Sequence, residues 1–267
     1  MEMLETFGYL TAAFIGFSLG LIGGGGSILT VPVLVYLFGL DAVSATAYSL
    51  FIVGATSLVG SWSKYKEGMV DVRTAVIFGM PSIVTVYLTR AWLVPWIPDP
   101  VFTLVEFGLS KRLLLMGLFA ILMVFASLSM IRDQKAGVLV ANEKQGFRWI
   151  PILLEGAVVG VLTGLVGAGG GFLIIPALVL FTGLTMKKAI GTSLLIIAGK
   201  SLIGFTGDLG QLQPNWIFLG IVTTIAVAGV FAGNAAAKKI DGHRLKKGFG
   251  WFVLVMGIFI LLKESIK

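Results

Sequence analysis

Cysteine is absent from the 267-residue chain, and histidine occurs once, at His243 in a basic stretch. The lack of cysteine excludes disulfides, thiolate metal sites and cysteine nucleophiles. A single histidine argues against a histidine-based catalytic site or a multi-histidine metal site. The sequence therefore predicts neither an enzyme nor a metal centre, and it predicts no cofactor.

Charge is also scarce. Only 12% of the residues are charged, against about 25% in a soluble domain. Hydrophobic residues make up 57% of the chain, and the mean hydropathy is +0.99. This composition predicts an all-α polytopic protein of the plasma (inner) membrane. The net charge of +7 is then expected to set membrane orientation and not to bind nucleic acid.

A glycine-rich run occurs twice. Residues 16–32 read GFSLGLIGGGGSILTVP and residues 160–176 read GVLTGLVGAGGGFLIIP, at an offset of 144 residues. Each glycine costs about 1 kcal/mol relative to alanine inside a helix, so the four glycines from Gly23 to Gly26 should break it. Broken helices at matching places in two repeats are the best sequence pointer to a transporter's binding site.

Ten apolar segments are predicted, and the second and seventh are short. A 14-residue helix covers roughly 21 Å, which is less than the roughly 30 Å of the hydrocarbon core. Each short segment follows a glycine run, so 4–40 and 150–184 are predicted to be hairpins with glycine tips. The segments cover residues 4–22, 27–40, 44–62, 72–93, 112–131, 150–166, 171–184, 188–206, 215–236 and 247–263.

The distribution of Lys and Arg favours hairpins that return to the side on which they start. This arrangement puts 14 basic residues on one face and 5 on the other, whereas hairpins that cross would remove the bias. Because cytoplasmic loops carry the Lys/Arg excess, both termini are predicted outside and the linker 131–149 cytoplasmic. The face with fewer charges holds Arg90, Lys111, Arg112, Lys263 and Lys267.

Each half then contains a returning hairpin and three transmembrane helices. Because that is an odd number of crossings, the second half must lie upside down relative to the first. The predicted fold is therefore a pair of inverted-topology repeats, with residues 1–130 as the first repeat and 150–267 as the second.

The glycine tips are the main candidate for a substrate site. An unwound tip exposes backbone N–H groups, and the helix that follows adds partial positive charge, so the pair can bind an anion. Ser27 is expected to cap a helix that begins near Ile28. The Gly16–Gly20 and Gly160–Gly164 pairs are interpreted instead as helix-packing faces. The predicted substrate-binding residues of the tips are Gly23, Gly24, Gly25, Gly26, Ser27, Gly167, Gly169, Gly170 and Gly171.

Lys200 is the one basic residue placed well inside a predicted span, roughly 18 Å from its start. A buried charge in a membrane marks function by default, and we expect Lys200 to attract an anionic substrate. The alternatives are that Lys200 snorkels to an interface or that it pairs with Asp208. Asp208 and Asp41 are interpreted as loop acids on the outer face. The equivalent residue in the first half is Thr56.

Three hydroxyl residues and one carboxylate complete the candidate set. Ser49, Thr192 and Ser193 can donate hydrogen bonds to anion oxygens, with back-bonding to a helix carbonyl as an equally weighted alternative. Glu155 is a candidate for coupling protons to transport. Placement at the membrane interface near Arg148 is the interpretation we favour for it.

The two glycine runs, together with Ala189-Ile190-Gly191-Thr192-Ser193, resemble the sulfite exporter TauE/SafE family of membrane permeases. In the first half, Ala47-Tyr48-Ser49 replaces the Gly-Thr-Ser of that pattern. The resemblance covers the whole length and implies a permease for small sulfur-containing anions such as sulfite, sulfoacetate or related organosulfonates.

We therefore predict a secondary transporter that works by alternating access around a site at the glycine tips. A passive anion channel, or a permease for another small anion or a metal ion, is the alternative. The expected partners are the anion and the lipid bilayer, with a proton or sodium as candidate coupling ion and a homodimer as candidate assembly.

Overall fold

The computed structural model describes residues 2–99, 102–104, 107–131, 149–237 and 242–265. These residues are almost entirely helical, which confirms the all-α prediction. Ten of the eleven α-helices coincide with the ten predicted segments, and the short helix Val94–Trp96 lies outside them. The 131–149 linker lies almost wholly outside the described residues. The helices are α1 (Glu2–Ile22), α2 (Thr30–Tyr36), α3 (Ala42–Lys66), α4 (Val72–Leu88), α5 (Val94–Trp96), α6 (Lys111–Ile131), α7 (Trp149–Val166), α8 (Gly171–Thr182), α9 (Met186–Thr206), α10 (Trp216–Ala237) and α11 (Gly242–Ser265).

Three shorter elements were not predicted. A 3₁₀ helix, Gly24–Leu29, joins α1 to α2, and a π-helix, Thr89–Leu93, joins α4 to α5. Two antiparallel strands, β1 (Phe102–Leu104) and β2 (Phe107–Leu109), form a hairpin before α6.

Four of the described helical stretches are long and apolar enough to cross a membrane. Large apolar side chains such as Trp62, Phe125 and Ile217 are exposed on the surface of the bundle, where lipid would cover them. The spans are Ala42–Lys66, Val72–Trp96, Lys187–Thr206 and Trp216–Ala237.

The first hairpin returns to the end of the bundle at which it starts. Tyr9, in the third turn of α1, packs edge-on against Phe38, just after α2, with ring centroids 5.3 Å apart. This contact agrees with the returning hairpin predicted for residues 4–40, and its placement in a membrane stays a prediction.

The packing of one half is reproduced when each element is exchanged for its equivalent 144 residues away. Helix α1 packs along α10, and its equivalent α7 packs along α4. Gly16 lies against the backbone of Ala226, and the equivalent Gly160 lies against that of Ser82. A Cβ atom on Gly16 would overlap Ala226, which confirms the interpretation of this glycine as a close-packing residue.

Helices α3 and α9 are equivalent to each other and lie side by side at the centre. Leu50 contacts Gly204, and Gly60 contacts Leu194, so the two helices run antiparallel. Contacts that recur when each residue is replaced by its equivalent indicate a two-fold relation between the halves. Because the equivalent helices are antiparallel, the two-fold axis lies across the helix direction. The orientation of the halves in a membrane stays a prediction.

Candidate functional site

The two glycine tips have different backbones. In the first tip only Gly23 has a positive φ, of 81°, and the chain then enters the 3₁₀ helix. In the second tip Gly167, Gly169 and Gly170 have φ of 74°, 66° and 65°, in the left-handed region that favours glycine. The helix therefore breaks at Gly23, as the glycine run predicts, and tight 3₁₀ winding resumes at Gly24.

The tips contact each other where the two halves meet. A Cβ atom on Gly24 would lie 2.9 Å from the carbonyl carbon of Gly171 and 2.8 Å from Cδ1 of Ile197. A Cβ atom on Gly169 would lie 3.5 Å from Oγ of Ser27. The structure thus brings Gly24 against Gly171 and Ser27 close to Gly169.

Ser27 does not cap a helix. Its hydroxyl donates to the carbonyl of Gly24 at 2.8 Å, inside the 3₁₀ helix, and is fully buried. The capping prediction is wrong because the chain passes from this 3₁₀ helix into α2 without a free helix start near Ile28.

Lys200 is completely buried in the middle of α9. Its Nζ donates to Thr163 Oγ1 at 2.9 Å, and a Cβ atom on Gly170 would lie 2.9 Å from Nζ. Within the described part of the chain, no carboxylate lies within ion-pair distance of it. The amine therefore does not snorkel to an interface or pair with Asp208, and it adjoins the second glycine tip.

Backbone donors accompany this amine. The N–H groups of Ala168, Gly169 and Gly170 precede α8, and no backbone acceptor binds them among the described residues. A buried amine beside N–H groups without acceptors, at the start of a helix, is a favourable environment for a small anion.

The predicted hydroxyl residues divide into three kinds. Ser49 is fully buried and its Oγ has no hydrogen-bond partner within the described chain. Ser193 donates back to the carbonyl of Ile190 at 2.8 Å. Thr192 accepts a hydrogen bond from the backbone N–H of Asp71 at 2.9 Å. Of these three residues, only Ser49 has a hydroxyl without a partner in the described part of the chain.

The Thr192 contact has an equivalent in the other half. Tyr48 OH accepts from the backbone N–H of Asn215 at 2.7 Å, and Asn215 is the equivalent of Asp71. Asp71 caps α4 by accepting from Thr74 N at 2.7 Å, and Asn215 Oδ1 accepts from Phe218 N at the start of α10. Each half thus orients a helix start of the other.

Glu155 lies in the second turn of α7 and is partly buried. Its Oε2 atom is buried and has no partner among the described residues. It is two turns before Thr163 in α7, so it does not join the contact between the tips.

The charge distribution predicted Arg90 at a membrane surface, but in the structure Arg90 is the centre of a buried polar network. Its side chain is fully buried, and Nη2 lies 2.7 Å from Asp208 Oδ1. Nε donates to both oxygens of Asp208, at 2.9 and 2.8 Å. Nη1 donates to Thr46 Oγ1 at 2.9 Å and to the carbonyl of Gly164 at 3.2 Å. Nη2 also donates to the carbonyl of Val43. We call these five residues the Arg90 network: Arg90, Asp208, Thr46, Gly164 and Val43.

Asp208 lies in the turn after α9, as expected, but it is buried. Burial raises the pKa of its carboxyl, and the Arg90 guanidinium opposes that shift. The usable signal in the sequence was a single arginine near the end of the apolar segment 72–93. Asp41, by contrast, is an exposed cap of α3, accepting from Val43 N and Ser44 N.

Two cavities lie on the outside of the bundle. One of about 720 Å³ is lined by α3 residues such as Trp62 and Tyr65, and one of about 400 Å³ lies along α10 beside Trp216. The described residues include no group of three or more His, Asp or Glu side chains placed to hold a metal ion.

Comparisons with known proteins agree over nearly the whole chain. The family model described as "Sulfite exporter TauE/SafE" matches residues 9–260. A "Probable membrane transporter protein" of Xylella fastidiosa strain 9a5c is 30% identical over 283 residues, which cover 98% of this chain and 96% of the relative. No solved structure matches the chain.

More distant relatives carry similar names. A "Probable membrane transporter protein" of Haemophilus influenzae is 26% identical over 274 residues, covering 95% of this chain and 97% of the relative. The "Probable membrane transporter protein YdhB" of Bacillus subtilis is 26% identical over 255 residues, covering 94% and 98%.

Proposed function

Because the chain belongs to the sulfite exporter TauE/SafE family, we propose that this membrane permease carries a small sulfur-containing anion, such as sulfite or an organosulfonate. The observation that carries the proposal is the fully buried Lys200, whose Nζ contacts Thr163 beside the second glycine tip. An ammonium group without a carboxylate partner is costly inside a protein, and a bound anion would offset that cost.

The chemistry of the tips suits a sulfonate or sulfite group. Lys200 supplies positive charge, and the N–H groups of Ala168, Gly169 and Gly170 supply donors in a water-poor site. Ser49 adds a buried hydroxyl that has no partner within the described residues. Three-oxygen anions can accept from several such donors together.

Alternating access is the mechanism we propose. The contacts of one half recur at the equivalent positions of the other, and α3 is antiparallel to α9. Both observations support an inverted-repeat architecture. Transporters of this kind move one repeat against the other around a fixed central site. The tips are tightly packed, which suits a closed conformation between the two open states.

The test is uptake into proteoliposomes with methanesulfonate, isethionate, sulfoacetate and sulfite as probes, and chloride and acetate for comparison. We expect saturable transport of at least one sulfur anion, reduced about tenfold or more in Lys200→Met because one charge-assisted contact is lost. Met replaces the buried lysine by an apolar chain of similar length, so the fold should persist. Thr56→Val, at the equivalent position, is the matched control.

Two results would remove the proposal. Transport by Lys200→Met with unchanged affinity and rate would exclude Lys200 from the site, and preference for acetate or chloride over every sulfur anion would exclude the substrate class. Accumulation against a concentration gradient separates a transporter from a passive channel, which can only equilibrate the probe.

A further inference from the structure

The bundle has two ends, and the Arg90 network occupies one of them. Because α3 and α9 are antiparallel, α9 ends at what we call the Asp208 end, and α3 ends at the Lys64 end. Arg90 lies at the start of the π-helix after α4, close to the residues that follow α9. Short π-helical segments are frequent at functional sites.

The network joins the two halves. Arg90 and Thr46 belong to the first repeat, whereas Asp208 and Gly164 belong to the second. Both carboxylate oxygens of Asp208 accept from Arg90, and Arg90 is only 1% exposed. Opening this end by moving one repeat against the other would separate a buried, hydrogen-bonded ion pair.

The network also reaches the candidate anion site. One carbonyl that accepts from Arg90 is that of Gly164. Gly164 follows Thr163, whose hydroxyl accepts from Lys200. Thr46, the other Nη1 acceptor, packs against Gly167 in the second tip. Arg90 therefore holds the position of α7 immediately before the tip.

The positions equivalent to Arg90 and Asp208, at the Lys64 end, do not hold an ion pair. The residues equivalent to Arg90 and Asp208 are Asn234 and Lys64, which cannot form an ion pair with each other. Lys64 pairs instead with Glu67, in the same half. The tip contact at this end is between Gly23 and the apolar Ile190.

We propose that the Arg90 network is a one-sided latch: it holds the Asp208 end of the anion path closed, so that the resting transporter opens preferentially at the Lys64 end. The proposal rests on the alternating-access function proposed above. In an inverted-repeat transporter the two open states exchange the roles of the repeats. Here that exchange would break an ion pair at one end without forming its equivalent at the other, so the states differ in free energy.

The absence of cysteine allows a direct test with single-cysteine reporters. Ala45 and Ala189 are equivalent, both fully buried, and each precedes a residue that packs on a tip, Thr46 or Ile190. Purified Ala45→Cys and Ala189→Cys proteins are reacted with a water-soluble maleimide, with the detergent-denatured protein giving complete labelling. Each reporter is combined with Arg90→Gln/Asp208→Asn, a double variant that leaves no unpaired charge.

In the double variant we expect the maleimide to label Ala45→Cys about tenfold faster or more, while labelling of Ala189→Cys stays unchanged or slows. The reason is that a larger fraction of the protein would be open at the Asp208 end. An equal increase at both reporters would indicate general loosening and would overturn the latch. Unchanged labelling at both would overturn it as well.

A second pair of variants covers the case in which the double variant does not fold. Lys64→Gln removes the charge at the position equivalent to Asp208, and it should leave the ratio of the two labelling rates unchanged. The conservative Arg90→Lys keeps one charge and fewer donors and should shift the ratio in the same direction as the double variant. A shift with Lys64→Gln, or none with Arg90→Lys, would contradict the proposal.

The labelling needs no substrate, so the two proposals fail separately. If no sulfur anion is transported but the labelling ratio shifts as expected, the latch stands and the substrate class is wrong. If a sulfonate is transported and the ratio does not move, the permease stands and the latch does not.

Discussion

The Asp208 end and the Lys64 end of the bundle share one backbone arrangement and differ in chemistry. Glycines pack on the same backbone positions at both ends, and helix starts are held in the same way by Tyr48 and Thr192. The Arg90 network lies at the Asp208 end, and the equivalent positions of the Lys64 end hold different residues. The equivalents of Arg90, Asp208, Thr46 and Gly164 are Asn234, Lys64, Ile190 and Gly20.

Equivalent positions at the centre of the molecule also differ in chemistry. Lys200 reaches across to α7 and contacts Thr163, whereas its equivalent Thr56 donates to the carbonyls of Ile52 and Val53 in its own helix. Glycine and helix periodicity keep the scaffold nearly symmetric. A few polar substitutions then give each half its own part in binding and gating.

The largest effect is expected from Arg90→Gln alone. It leaves the buried Asp208 carboxylate without its partner, and breaking a buried pair in this way costs about 3–5 kcal/mol. We expect the apparent Tm of the purified protein to fall by about 10 °C, as a cost of this size would lower it. Thermal unfolding followed by size-exclusion chromatography measures it.

Two controls sharpen this comparison of the ends. Adding Asp208→Asn to Arg90→Gln should restore most of the loss, because no buried charge is left over. Lys64→Gln at the other end removes one partner of the partly exposed Lys64–Glu67 pair and should change Tm little, since such pairs contribute weakly. If Arg90→Gln alone were as stable as the double variant, the Arg90–Asp208 pair would not contribute to the stability of the fold.

A smaller loss is expected from Gly24→Ala. The second repeat carries Ala168 at this position, where it is buried without difficulty. In the first repeat the added Cβ would meet the backbone of Gly171 and Cδ1 of Ile197. Overpacking of this kind costs about 1–3 kcal/mol, and it should lower both Tm and the transport rate because it separates the tips.

The matched control for the tip is Gly220→Ala, in α10, where nothing lies within 4 Å of the added Cβ. It should leave transport unchanged and keep or slightly raise Tm, because alanine is the better helix former. Equal tolerance of Gly24→Ala and Gly220→Ala would mean that the contact between the tips does not constrain the protein.

The sequence predicts the helices, the returning first hairpin and the buried Lys200 because these follow from hydropathy, glycine cost and charge. It does not predict the 3₁₀ winding that takes Ser27 away from a capping role, since the same glycines are compatible with either backbone. It also places Arg90 at a surface. A charge near the end of an apolar segment can reach water or a partner, and that partner, Asp208, is 118 residues away.

The smallest effects are expected from Tyr48→Phe and Thr192→Val, which remove equivalent hydroxyls. Each leaves one backbone N–H, of Asn215 or Asp71, without its acceptor, at a cost of about 1 kcal/mol. If both hydroxyls only hold helix starts, the two variants should lower Tm by similar amounts and leave the KM for the transported anion unchanged. Thr192, unlike Tyr48, is also a predicted substrate ligand. A rise in KM for Thr192→Val alone would show that this hydroxyl contacts the anion during transport. The two hydroxyls would then share a structural role but differ in function.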